Sequence, residues 1–220
     1  QDRVLCSEVH DGRDFHSDNQ QRFELPDRTT AKIFMFKLIY GATAWGYAND
    51  GDFIAVSTRE SFWQGVIDEF YQKYQGIGIW HRHLVGAAIA DGRYTSPTGR
   101  QYSYPAQEVV SKEWFWRPKI LNYPVQGLGA DLVMIARISA FRRLNALGFD
   151  DEIKMCSSVH DSIVVDCENG LCYNVGKILK ESVQDVPANF KRLFGVEFNL
   201  PLNCEVEYGL NLKQTETLNC

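Results

Sequence analysis

Arg28, Lys32, Phe36 and Tyr40 recur every four residues. On a helix turning about 100° per residue they form one slowly drifting stripe of two cations followed by two aromatic rings. Arginine grips phosphate through two parallel hydrogen bonds, lysine acts as a point charge, and an aromatic ring offers a stacking face to a base or sugar. The order therefore matches a nucleoside triphosphate laid along the helix, although an exposed cationic face with two rings tucked into a core fits the spacing equally well. A second candidate is His160-Asp161, set between two short apolar runs. A carboxylate at a hairpin tip suits magnesium, which takes one or two carboxylates plus substrate phosphates; a plain turn with a capping aspartate is the commoner origin of such a pair. The third is Asn122-Tyr-Pro-Val-Gln126-Gly127, whose amides can both donate and accept, and which also reads as the N-terminal region of a helix.

The stripe needs a helix with a separate core face. Ala31, Phe34, Met35 and Leu38 follow the i, i+3, i+4, i+7 rule on the other side, and Gly41 stops the helix or admits another chain. A turn at Asn49-Asp-Gly51 and an amphipathic helix from Glu60 to Tyr74 follow. Within Gly86–Tyr104, residues 91–95 and 96–100 read as two turn-rich strands of a hairpin with Arg100 at its tip or just beyond, and a long helix is predicted from Pro124 to a stop at Gly148. Strands are predicted over Ile153–Val159 and Ile163–Val165, a helix over about 171–183, and a final strand around Asn203–Tyr208. Helices first, then strands mixed with helices, predict an α+β fold with a helical lobe of 1–105 and an α+β lobe of 106–220.

With 220 residues, 45% hydrophobic and 13% aromatic, the chain can bury a real core. A net charge of −5 argues weakly against nucleic-acid binding. That average conceals a division: residues 1–148 carry 17 Lys and Arg against 16 Asp and Glu, and residues 149–220 carry 6 against 12. Six scattered cysteines without a C-x-x-C favour a reducing compartment and argue against zinc. No apolar run reaches about 18 residues and no signal peptide opens the chain, so an intracellular protein with no membrane partner is expected. The opening at Gln1, in a polar stretch without a hydrophobic element, suggests a piece of something longer. His81 and His83 read as a solvated basic face rather than a metal site, Asp131 as a helix-start residue favouring the dipole, and Asp166 as a strand-end residue rather than an accessory carboxylate.

Taken together, Asp14-Phe15-His16, the stripe with Gly41-Ala-Thr-Ala-Trp45-Gly46 after it, Asn122–Gly127, and Ser157-Ser-Val159-His160-Asp161-Ser162-Ile-Val-Val165 stand in the order found in family A (polymerase I-like) DNA polymerases, phage enzymes among them. The chain resembles that family from about Asp14 to Tyr208. The resemblance implies a right-hand polymerase fragment: helical fingers over 1–105, with a nucleotide-binding helix at 28–41, then part of an antiparallel-sheet palm over 106–220, with the His-Asp hairpin at 153–166. It implies that His16, Arg28 and Lys32 contact the triphosphate, that Phe36 lies against the sugar and Tyr40 at the nascent base pair, and that Trp45 sits near the template base. Arg100, Asn122, Gln126 and His160 would contact DNA, the two amides in the minor groove. Asp161 would be a metal ligand, with His160 and Lys32 beside it in the catalytic set. The implied activity is addition of deoxynucleotides to a primer 3′ end by two-metal phosphoryl transfer in DNA replication, with two Mg²⁺ ions, primer-template DNA and deoxynucleoside triphosphates, in the cytoplasm of a bacterial cell or phage-infected host.

The chain also departs from the pattern. Lys37 replaces a small residue, Ser162 a frequent Glu, and Pro118 an Arg. Residues 1–13 contain no Asp-x-Ser-x-x-Glu segment, the family's motif A. Motif A is therefore expected on an N-terminal portion or a partner chain, and the chain alone is expected to be inactive. Two other assignments stay open. A single-subunit RNA polymerase shares the Arg-x-x-x-Lys…Tyr-Gly helix and His-Asp-Ser but carries Met-Thr in place of Phe36-Lys37; a non-catalytic nucleic-acid-binding subunit of a split polymerase would need a partner with motif A.

Overall fold

The computed structural model describes residues 2–148 and 152–220. The chain separates into two compact units, Gln1–Gln126 and Gly127–Cys220. In the first, α1 (Arg3–His10), α2 (Phe15–Arg22), α3 (Arg28–Ile39), α4 (Ala44–Ala48), α5 (Glu60–Lys73) and α6 (Gln75–Asp91) lead to a hairpin of β1 (Arg93–Thr95) and β2 (Gln101–Ser103), then to α7 (Ala106–Ser111) and the first part of α8 (Glu113–Asn145).

The stripe helix is α3. Asp27, in extended conformation at its N-cap, accepts the Thr30 backbone N–H at 2.8 Å, satisfying a donor that the first turn would otherwise leave unpaired. Gly41 follows its end with φ +90°, where a side chain would also meet Leu121 Cδ1 at 3.0 Å. Ala31, Phe34, Met35 and Leu38 are all buried, as their spacing predicts. Phe34 lies 4.9 Å from the Tyr47 ring and 5.9 Å from Trp63, and the Tyr47 hydroxyl donates to the Phe34 carbonyl at 2.7 Å. This aromatic core consumes one face of α3 and leaves the other outside.

The opening residues, without a hydrophobic element in the sequence, form α1 through polar contacts. Lys73 Nζ lies 2.9 Å from Glu8 Oε1 and donates to Asn19 Oδ1 at 3.0 Å. The Tyr74 hydroxyl donates to Glu8 Oε2 at 2.7 Å and accepts from Asn19 Nδ2 at 2.8 Å. Asp2 caps α1 by accepting the Leu5 N–H, and it takes the Gly76 N–H at 2.7 Å.

Three expectations about helical residues are corrected. His81 is 1% exposed rather than solvated. It stands four residues after Ile77 and three or four before Leu84 and Val85, on the buried row of α6, while Arg82 and His83 take the exposed face. The long helix α8 begins at Glu113, not Pro124, and runs through Pro118 and Pro124. Each proline removes one backbone donor, but Ile120 and Leu121, fully buried between them, hold the segment in place. Asp131 consequently lies in the interior of α8 and not at a helix start.

In the second unit the remainder of α8 is followed by β3 (Ile153–Val159) and β4 (Ser162–Cys167), paired antiparallel with Val159 opposite Ser162 and a bulge between Met155 and Ser157. After a 3₁₀ turn at Asn169–Leu171 come α9 (Cys172–Gln184), α10 (Val186–Phe194) and a hairpin of β5 (Glu207–Asn211) and β6 (Gln214–Thr217). Ile135, Ala136, Val186 and Phe190 form the core of this unit, with Leu132, Ile163 and Phe194 against them. The helix α10 lies outside the sequence reading, and the strand expected around 203–208 begins at Glu207 and pairs with β6. Its side chains are exposed on both faces, so no burial pattern marks it in the sequence. The fold is α+β, with helices dominating the first unit and small antiparallel sheets distributed through both.

Candidate functional site

The cation end of the stripe is assembled where the N-termini of α2 and α3 meet. The Asp14 carboxylate caps α2 by accepting the His16 N–H at 3.2 Å, the Ser17 N–H at 3.4 Å and the Ser17 hydroxyl at 2.8 Å. The same carboxylate takes Arg28 Nε at 2.6 Å and Nη2 at 3.1 Å. The guanidinium holds the Asp14 carboxyl well below the usual carboxylate range. His16 is buried in the first turn of α2, its Nδ1 without a hydrogen-bond partner among the described residues. Burial first, then the charge of Arg28, lowers its pKa, and Lys32 acts in the same direction. Lys32 is exposed.

The aromatic end continues along α3. Phe36 is 44% exposed, its ring 6.0 Å from His16 and 6.5 Å from Tyr40, with the Tyr40 pair stacked at 30°. The Tyr40 hydroxyl accepts from Gln126 Nε2 at 2.7 Å. Arg28, Lys32, Phe36, Tyr40 and Gln126 therefore form one row of two cations, two rings and an amide, with the buried His16 imidazole beside Phe36. Asn122 lies one turn before Gln126 on α8 and is half-buried.

Trp45 extends from α4 with 64% exposure. Lys37, on the neighbouring flank of α3, donates to Asp50 Oδ2 at 2.6 Å and Asp52 Oδ2 at 2.8 Å, with its ammonium 5.2 Å from the centre of the Phe53 ring. It fastens the turn after α4 to α3. Arg100 closes the loop of the β1–β2 hairpin, its N–H donating to Ser96 Oγ at 3.2 Å.

In the second unit, His160 and Asp161 are the two central residues of the β3–β4 turn, both exposed. His160 has φ +53°, a left-handed conformation that costs a non-glycine residue on the order of 1 kcal/mol. The hairpin thus carries Asp161 at its tip, as the alternating apolar runs predict. Asp166, paired with Lys154 within the hairpin, lies in β4. A single carboxylate is one ligand, and no group of three or more His, Cys, Asp or Glu side chains placed to hold a metal ion occurs among the described residues. Asp161 fits a magnesium ligand, but the described residues do not by themselves make the site for two ions.

Sequence reasoning missed the double use of Asp14 as helix cap and arginine partner. The signal was present, since an aspartate two residues before His16 at a helix start is a capping pattern, but its pairing with Arg28 depends on how two helices approach. The Lys37 anchor and the contact between Tyr40 and Gln126 likewise join residues that no local pattern connects.

Among known proteins, the chain is 28% identical over 196 residues to DNA polymerase I of Aquifex aeolicus, covering 83% of this chain and 32% of that protein. It is 24% identical over 186 residues to the DNA polymerase of Bacillus phage SP01, covering 84% of this chain and 20% of the phage protein. In fold it is similar to a solved structure described as the POL domain of Pol1 from M. smegmatis in complex with DNA primer-template and dNTP, with a TM-score of 0.75, 20% identity, and coverage of 92% of this chain and 35% of that one. The chain spans about a third or less of the length of these relatives. No helix among the described residues is long and apolar enough to cross a membrane. The family model for DNA polymerase family A matches residues 1–214, and the chain belongs to that family.

Proposed function

We propose that this chain is the fingers (1–105) and C-terminal palm (106–220) of a template-directed DNA polymerase that adds deoxynucleotides to a primer 3′ end, in the cytoplasm of a bacterial cell or phage-infected host. The observation that carries the reading is the outward row Arg28, Lys32, Phe36 and Tyr40, kept clear of a filled core and flanked by His16 and Gln126. Arg28 and Lys32 hold the phosphates of an incoming deoxynucleoside triphosphate, and His16 contacts them from the start of α2. Phe36 lies against the sugar and Tyr40 against the nascent pair, so the row fixes the direction in which the nucleotide enters, the positioning on which phosphoryl transfer depends. Trp45 meets the template base, Asn122 and Gln126 offer amides to the minor-groove acceptors that correct pairs share, and Arg100 and His160 contact the DNA. Asp161, together with a carboxylate supplied from a segment carrying motif A, would hold magnesium, which would supply charge neutralisation at the phosphates.

Primer extension tests the reading. The 220-residue chain alone is expected to give no extension, and the chain joined to a segment carrying motif A is expected to extend a DNA primer with deoxynucleotides. Asp161→Asn should abolish that extension. Strong extension by the chain alone would remove the need for motif A, and a preference for ribonucleotides would assign the chain to an RNA polymerase.

A further inference from the structure

We propose that Asp14 is a positioning residue for the triphosphate site, presenting Arg28 to phosphate with one edge of its guanidinium already fixed; this rests on the nucleotide-binding reading above.

Arginine has five N–H donors and offers two bidentate edges, one made by Nε and Nη2 and the other by Nη1 and Nη2. Asp14 takes the first edge, through Nε at 2.6 Å and Nη2 at 3.1 Å. The second edge has no hydrogen bond or ion pair among the described residues and stays available for a phosphate, the geometry in which bidentate recognition is strongest. Asp14 itself does not swing freely. Its Oδ1 accepts the His16 and Ser17 N–H groups and its Oδ2 the Ser17 hydroxyl, so the carboxylate that holds Arg28 is anchored to the first turn of α2. One side chain thereby sets the spacing between Arg28, at the start of α3, and His16, the imidazole beside Phe36. An arginine side chain carries about 2 kcal/mol of rotamer entropy, and a guanidinium already held on one edge loses less of it when phosphate arrives.

Asp14 also brings a negative charge close to the phosphates, which alone would weaken their binding. The carboxylate is about half exposed, 47% at the side chain, and bidentately neutralised by Arg28, so solvent and its own partner screen that repulsion. Positioning therefore dominates.

The test uses dATP binding to the 220-residue chain by calorimetry. Asp14→Asn keeps an N-cap oxygen and removes the charged grip on Arg28. Affinity for dATP is expected to fall by about three- to tenfold, with no change for deoxyadenosine, which lacks phosphates. In an Arg28→Ala background the same Asp14 substitution should have no effect, an outcome a purely structural cap would not give. A ¹⁵N NMR measurement of the arginine Nε–H signals is independent of nucleotide: the signal lost in Arg28→Ala should be protected from exchange in the wild type and unprotected in Asp14→Asn. Equal or tighter dATP binding by Asp14→Asn, or a loss that persists without Arg28, overturns the proposal. Failure of the wild-type chain to bind dATP overturns the nucleotide-site reading on which it rests, whereas an unprotected Arg28 signal in the wild type overturns the positioning role alone.

Discussion

The Tyr40 hydroxyl accepts a hydrogen bond from Gln126 Nε2 at 2.7 Å across 86 residues of sequence. It ties the end of the stripe helix to α8 and sets the edge of the Tyr40 ring. A neutral hydrogen bond of this kind contributes about 1 kcal/mol net. Tyr40→Phe and Gln126→Ala are each expected to lower stability by about that amount, and the double variant by little more than either alone. Urea denaturation of the four members of this cycle reads the coupling.

Lys37 sits between Asp50 and Asp52, and hydrogen bonding to the ammonium lowers the Asp50 pKa. Replacing Lys37 with Met removes the cation and leaves two carboxylates facing each other. The Asp50 pKa is expected to rise toward and past its ordinary value, followed by carboxyl NMR titration. The stability loss should stay near 1 kcal/mol or below, because the pair is partly solvated, and it should shrink with added salt.

Buried charge makes a larger difference at Glu8. Lys73 pairs with it at 2.9 Å, with side-chain exposures of 12% and 8%. Lys73→Met leaves a carboxylate and the Asn19 oxygen buried without their cation, and a loss of about 3–5 kcal/mol is expected. Thermal unfolding measures it, and Glu8→Gln combined with Lys73→Met should recover part of the loss.

Burial pushes the His81 pKa down to about 4 from an ordinary 6.5, and the ring nitrogen Nδ1 is held at 2.9 Å by the Tyr71 hydroxyl. Between those values the unfolded chain binds a proton that the folded chain refuses, so stability falls as pH drops from 6.5 toward 4. The full difference is about 3 kcal/mol. His16, lowered by burial and by Arg28, adds in the same direction. Asp14 is depressed from 3.8 and therefore contributes only below this window. Urea midpoints measured at steps across this range should decline, and His81→Gln should flatten the decline.

The readable parts of this molecule are those where one local pattern carries the information. The core row Ala31, Phe34, Met35 and Leu38 declares itself by helical spacing, and the hairpin at His160-Asp161 by two apolar runs with a polar pair between them. His81 fails that test because its neighbours Arg82 and His83 are polar, so composition points outward while the spacing from Ile77 to Leu84 points inward. Pro124 misleads for a related reason: proline at a helix start is a sound local rule, overridden here by the burial of Ile120 and Leu121. The strands β5 and β6 carry no alternation, because both of their faces meet solvent. At the candidate site the stripe was legible residue by residue, but its supports were not. Asp14 with Arg28, Lys37 with Asp50, and Tyr40 with Gln126 are meetings of separate elements, and no window of sequence contains both members of a pair except through the fold.

The polar clasp on α1 has a consequence for the order in which the chain acquires structure. Asp2 and Glu8 find their partners at Gly76, Lys73 and Tyr74, so during synthesis α1 must wait for more than sixty further residues before it can dock. Until then α1 is a single short helix of eight residues, below the length at which helices persist alone in water. Within this unit α1 is thus among the later elements to settle, and its docking covers Lys73 and Asn19.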